Sequence, residues 1–187
     1  MGNKITLTAS DGFKLGGYRA EPQGKPKGGL VVIQEIFGVN HHIRAMCDRF
    51  AAVGYTSTAP QVFDRIQPNF ESGYSPDEIA HARTLIPKVD WAKMLLDVAS
   101  AIDNVKGAGK VGIVGYCMGG TVAFLSAGKL DGLSASVGYY GGQIAIGFPN
   151  PNGVLPWART SHSRRRMVSS SADIARSRRA RPRAASS

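Results

Sequence analysis

Apolar and polar positions alternate through residues 4–19 on either side of Asp11-Gly12, the pattern of a β-hairpin whose turn needs a residue tolerant of positive φ. Residues 21–29 are rich in Pro, Gly and Lys and read as a loop. The short run Leu30-Val31-Val32-Ile33-Gln34 then has the character of a strand buried on both faces. Asn40 is placed to cap a helix with Ile43, Met46, Phe50 and Val53 facing inward, and Gly54 to close it. Residues 55–59 predict the next strand, ended by Pro60. Residues 61–76 lack periodicity and read as an excursion over the top of a sheet rather than a core element. Helical pattern resumes at Ser75-Pro76-Asp77-Glu78, where a cap precedes first-turn acids, and Pro87 interrupts it. A second helix follows over 90–105 with Trp91, Met94, Leu95, Val98 and Ile102 inward. Strands are expected at 111–114 and 134–140. Strands alternating with helices predict a mostly parallel sheet covered by helices on both faces.

Composition adds limits to that picture. With 187 residues, 43% hydrophobic and 19% charged, the chain suits one globular domain. No apolar run approaches the ~20 residues of a membrane span, and the first residues lack the apolar core of a secretory signal. Two cysteines form no disulfide framework, so a cytoplasmic location is expected. The net charge of +10 is unevenly spread: residues 1–150 hold 14 Lys+Arg and 12 Asp+Glu, whereas 151–187 hold nine Arg, no Lys and one acid, Asp173. The basic character belongs to the last segment.

The most specific chemistry lies at Gly115-Tyr116-Cys117-Met118-Gly119, between a strand and a helix. This is the nucleophile-elbow pattern with cysteine in the nucleophile position. Glycines two before and two after are needed because a Cβ there would collide with backbone across the sharp turn. The turn places the Cys117 sulfur at a helix N-terminus, where the dipole is expected to lower the thiol pKa, and the Met118 N–H faces an oxyanion formed there. A cysteine at such a junction also serves as a small buried apolar side chain. Glu35 ends a central strand, at the edge of an open α/β sheet where active sites form. It is placed to hold or accept the thiol proton, or else is a surface acid.

Four stretches, QEIFGVN (34–40), GYTSTAPQVFDR (54–65), GYCMGG (115–120) and YYGG (139–142), resemble in order and spacing the dienelactone hydrolase family, the carboxymethylenebutenolidase-like branch of the α/β-hydrolases. The resemblance covers about residues 1–145. It implies a three-layer α/β sandwich and hydrolysis of a small lactone or carboxylic ester through an acyl-thiol intermediate, with no metal or organic cofactor. It assigns Cys117 as nucleophile, Glu35 as the carboxylate paired with the resting thiol, and the backbone N–H groups of Ile36 and Met118 as the oxyanion hole. Arg83 reads as an exposed helical arginine rather than a substrate-carboxylate ligand.

The family's acid and histidine follow the nucleophile, and no counterpart is found: His162 and Asp173 lack the family's context, and His41, His42 and His81 precede Cys117. The expected division is therefore a partial hydrolase domain over 1–147, incomplete at its C-terminus, and an Arg/Ser-rich disordered segment over 148–187. Out-of-frame translation of GC-rich DNA accounts for a segment with arginine and serine but no lysine. The rival reading is a non-catalytic basic protein binding nucleic acid through residues 159–183, because clustered arginine neutralises phosphates. The hydrolase reading is preferred, with a small lactone or ester as its partner and neither nucleic acid nor membrane. Nothing in the sequence specifies an oligomeric state.

Overall fold

The computed structural model of the chain describes residues 1–142, residue 144 and the backbone of residues 166–168. The hairpin forms as expected, with β1 (Asn3–Thr8) antiparallel to β2 (Lys14–Ala20) and Gly12 at φ 82° in its turn. The sheet continues with β3 (Gly28–Ile33), β4 (Tyr55–Pro60), β5 (Val111–Tyr116) and β6 (Leu133–Tyr139). A short β7 (Arg166–Val168) completes the order β1-β2-β4-β3-β5-β6-β7. β2 meets β4 antiparallel, and every pairing from β4 onward is parallel. β7 falls in the segment expected to be disordered. The outer edge of β6 offers unpaired N–H and C=O groups that an extended stretch can join. The 147/148 boundary, His162 and Asp173 lie outside the described residues.

Four helices form the outer layers: α1 (His41–Ala52), α2 (Pro76–Arg83), α3 (Trp91–Val105) and α4 (Met118–Lys129). Successive strand side chains point to opposite faces, so Val32 and Val114 pack with α1 residues Ile43, Cys47 and Ala51. Val31, Ile33 and Ile113 pack on the other face with Met94, Val98 and Ile102 of α3 and Val122 of α4. The result is the expected three-layer α/β arrangement. Val31, Val32 and Ile33 are wholly buried, each contributing roughly 1.5–3 kcal/mol of hydrophobic stabilisation. No helix among the described residues is long and apolar enough to cross a membrane.

Local signals explain the helix ends. Asn40 Oδ1 accepts from the His42 and Ile43 N–H groups, and Gly54 at φ 101° closes α1. Ser75 and Glu78 form a reciprocal capping box on α2, with Pro76 at its first position. Two expectations need correction. Val53 is 55% exposed: it caps the end of α1, and the inward stripe runs at four-residue steps through Ile43, Cys47 and Ala51, with Met46 and Phe50 flanking it half-buried. The segment 61–76 is also part of the core, because Val62, Phe63 and Phe70 are buried and the two rings pack 5.9 Å apart. Its irregular backbone hid that burial, since turns carry no apolar period.

The same segment is anchored by a buried ion pair. Arg65 donates to both oxygens of Asp97 at 2.8–3.1 Å and also reaches Asp11 at 2.9 Å. Burial holds Asp97 above the usual carboxylate range, outweighing the Arg65 guanidinium, whereas Asp11 is lowered by its hydrogen bond to Arg65. Asp97 is 1% exposed at its side chain, so it depends on Arg65 to compensate its charge.

Candidate active site

The sheet register brings the sequence-predicted site together. Ile33 pairs with Gly115 across β3 and β5, and Tyr116 pairs with Tyr139 across β5 and β6. Two residues beyond the first pair come Glu35 and Cys117; one beyond the second come Cys117 and Tyr140. Three parallel strands thus release a carboxyl, a thiol and a phenol at neighbouring points on their carboxyl ends.

Cys117 stands between β5 and α4 at φ 53°, ψ −120°, a backbone state that costs a non-glycine residue roughly 1–3 kcal/mol. Its N–H donates to the Tyr139 carbonyl at 3.0 Å, and its carbonyl accepts from Gly120 at 2.9 Å. The flanking glycines are required by close approach. A Cβ at Gly115 would overlap the Gly119 carbonyl, and one at Gly119 would overlap the carbonyls of Ile33 and Gln34. A Cβ at Gly120 would stand 2.6 Å from the Tyr139 oxygen. Glycine therefore lets α4 lie directly on β3 and β6.

The electrostatics depart from the sequence expectation. The half-buried Cys117 thiol is raised, first by desolvation and then by the Glu35 carboxylate, although a hydrogen bond from the Met118 backbone opposes both. A helix N-terminus favours a thiolate, yet here burial and a neighbouring anion outweigh it, so the resting group is a neutral thiol. Glu35 Oε1 accepts from the Tyr140 hydroxyl at 3.1 Å. Partial desolvation of its hydroxyl and the adjacent Glu35 push the Tyr140 phenol up to about 12. Met118 opens α4, so its N–H lacks an intrahelical acceptor. The buried Ile36 N–H has no acceptor among the described residues. Met118 follows directly on Cys117, and Ile36 follows Glu35 beyond the end of the neighbouring strand.

Sequence reasoning missed the aromatic wall. Tyr116 stacks on Tyr139 with centroids 5.3 Å apart, and His42 and Tyr140 contact Tyr116 at 6.3 and 6.5 Å. The signal was available: the tyrosine pair ends the strand next to β5. Arg83 is exposed on α2, as expected. His81 packs on Phe70 at 5.7 Å, away from the thiol. Among the described residues no histidine hydrogen-bonds to Cys117, and no group of three or more His, Cys, Asp or Glu is arranged to hold a metal.

A sheet with an antiparallel first hairpin, parallel strands beyond, and a strained residue between β5 and α4 defines an α/β-hydrolase fold. The model of the dienelactone hydrolase family matches residues 15–156, and the chain belongs to that family. The Synechocystis protein named "Putative carboxymethylenebutenolidase" is 38% identical over 150 residues, covering 75% of this chain and 60% of that protein. Carboxymethylenebutenolidase 1 of Cupriavidus pinatubonensis is 30% identical over 146 residues, covering 75% of this chain and 62% of that one. A crystal structure titled "Putative Dienelactone Hydrolase" from Klebsiella pneumoniae superposes with a TM-score of 0.62 at 32% identity, over 74% of this chain and 60% of that chain. The chain therefore spans about 60% of the length of these relatives.

Proposed function

We propose that this chain carries the nucleophile half of a hydrolase acting on a small lactone or carboxylic ester, with Cys117 as the attacking group. The observation that carries the reading is the Cys117 backbone, at φ 53° at the start of α4 between glycines whose close backbone contacts admit no Cβ. In the reaction, the thiol proton passes to the Glu35 carboxylate. The sulfur attacks the ester carbonyl, and the Ile36 and Met118 N–H groups receive the oxyanion. The carbon–oxygen bond to the leaving alkoxide breaks as that oxygen takes up the proton held by Glu35, leaving a thioester on Cys117. Water then attacks the thioester, releasing the carboxylic acid and returning the proton to the thiol. Family membership and the named activities of the relatives support this reading. No metal or organic cofactor enters it, and a cytoplasmic enzyme is its setting.

The test is intact-mass measurement after exposure to p-nitrophenyl acetate. One acetyl group on Cys117 is expected, absent from Cys117→Ala, with acylation accelerating as pH rises because the raised thiol must ionise to attack. Cys47 serves as the internal control, since it is fully buried. Folded protein that gains no acetyl group on Cys117 at alkaline pH would overturn the assignment.

A further inference from the structure

Tyr140 is the least expected member of the site. It is 63% exposed, so burial does not hold it, yet its backbone sits at φ 41° in the left-handed region, which non-glycine residues rarely occupy. Backbone strain of this kind persists where surrounding structure imposes it, and it gathers at functional sites. Tyr139, the residue before it, is fixed on both sides: its carbonyl accepts the Cys117 N–H, and its ring stacks on Tyr116. From that anchor the Tyr140 hydroxyl reaches Glu35 Oε1 at 3.1 Å.

We propose that Tyr140 is a positioning residue, whose hydroxyl holds the Glu35 carboxylate in place and so governs how far that carboxylate engages the Cys117 thiol. The role rests on the reading of Cys117 as nucleophile. A carboxylate that accepts from a phenol is less free to turn toward a second partner. With the phenol in place, Glu35 Oε1 is tied to Tyr140 and part of its negative charge is offset. Without it, the carboxylate turns freely and its full negative charge opposes the thiolate form of Cys117. The ionisable groups around Glu35 are Tyr140, Tyr116 and Cys117. Tyr116 is itself pushed up to about 12 by burial, so neither phenol ionises in the range where the thiol is read.

The experiment is the pH dependence of Cys117 carboxamidomethylation by iodoacetamide, located by peptide mass, in four full-length proteins: wild type, Tyr140→Phe, Glu35→Gln and the double variant. Tyr140→Phe keeps the ring against Tyr116 and deletes only the donor. It is expected to slow alkylation at pH 8 by about threefold, half a pKa unit at an exposed hydrogen bond. In the Glu35→Gln background the same substitution is expected to change nothing. A ring that merely packs would leave the rate unchanged in both backgrounds. An unchanged rate in Tyr140→Phe, or the same factor in both backgrounds, overturns the positioning role while leaving the nucleophile in place. A folded wild type whose Cys117 resists the reagent throughout overturns the nucleophile reading and the positioning role with it.

Discussion

Two crossings from strand to helix, one leading into the helix that holds Cys47 and the other formed by Cys117 itself, show how one side chain is put to different uses. Between β3 and α1 the chain takes seven residues, 34–40, and ends on Asn40, whose side chain satisfies two N–H groups at the helix start. Between β5 and α4 it takes one, Cys117, which makes no side-chain capping bond. The first helix start is closed by its own sequence, and the second has no side-chain cap. Cys47 in α1 sits wholly buried with its thiol pushed up to about 12 by desolvation, a small apolar filler. Cys117 is half-exposed beside a carboxylate. Position on the helix, rather than residue type, separates the buried thiol from the accessible one.

The contrast is broken most severely at Gly119. Replacing it with alanine drives a Cβ into the carbonyls of Ile33 and Gln34, which are backbone atoms of the central strand. A loss of about 4 kcal/mol or more is expected in urea unfolding, whereas a tolerated Gly119→Ala would show that the elbow is looser than its contacts imply. The next effect belongs to Cys47. Its folded-state pKa is raised, so the folded protein holds a proton that the unfolded chain releases above the ordinary thiol value of 9.0, and the Cys47 contribution is lost as pH climbs toward about 12. That loss amounts to about 4 kcal/mol at its limit. Cys47→Ala is therefore expected to be less stable than wild type at pH 7 and to overtake it in alkaline melts. Parallel curves would refute the buried-thiol account. The smallest effect is at the closed helix start: Asn40→Ala is expected to cost about 1–2 kcal/mol by thermal unfolding, with Cys117 alkylation unaltered because the Asn40 side chain bonds to His42, Ile43, Ser72 and Tyr74 and not to the residues packed around Cys117.

Regular elements were legible in the sequence because each announced itself locally. The hairpin turn, the Asn40 and Ser75 caps and the apolar strands all stand where their patterns placed them. The elbow was legible for a related reason, since its glycines are demanded by backbone approach. Burial of Phe63 and Phe70 was not, because an irregular segment has no period to reveal its inward side. Nor was the raised Cys117 thiol: a helix N-terminus is visible in sequence, but the burial that outweighs it is set by packing around the turn. The Tyr140–Glu35 bond joins residues 105 positions apart, a pairing that only the sheet register creates.

That separation also bears on the route by which the protein assembles. Gly119 can force the Cys117 backbone into its native state only after β3 has docked beside β5, since the carbonyls it packs against belong to residues 33 and 34. Closing so long a loop comes late in a folding reaction. Until then Cys117 is an ordinary cysteine in an ordinary turn. The thiol thus acts as a clock for the central pairing of the sheet: during refolding, its reactivity changes from that of a free peptide to that of the site at the moment the third strand arrives.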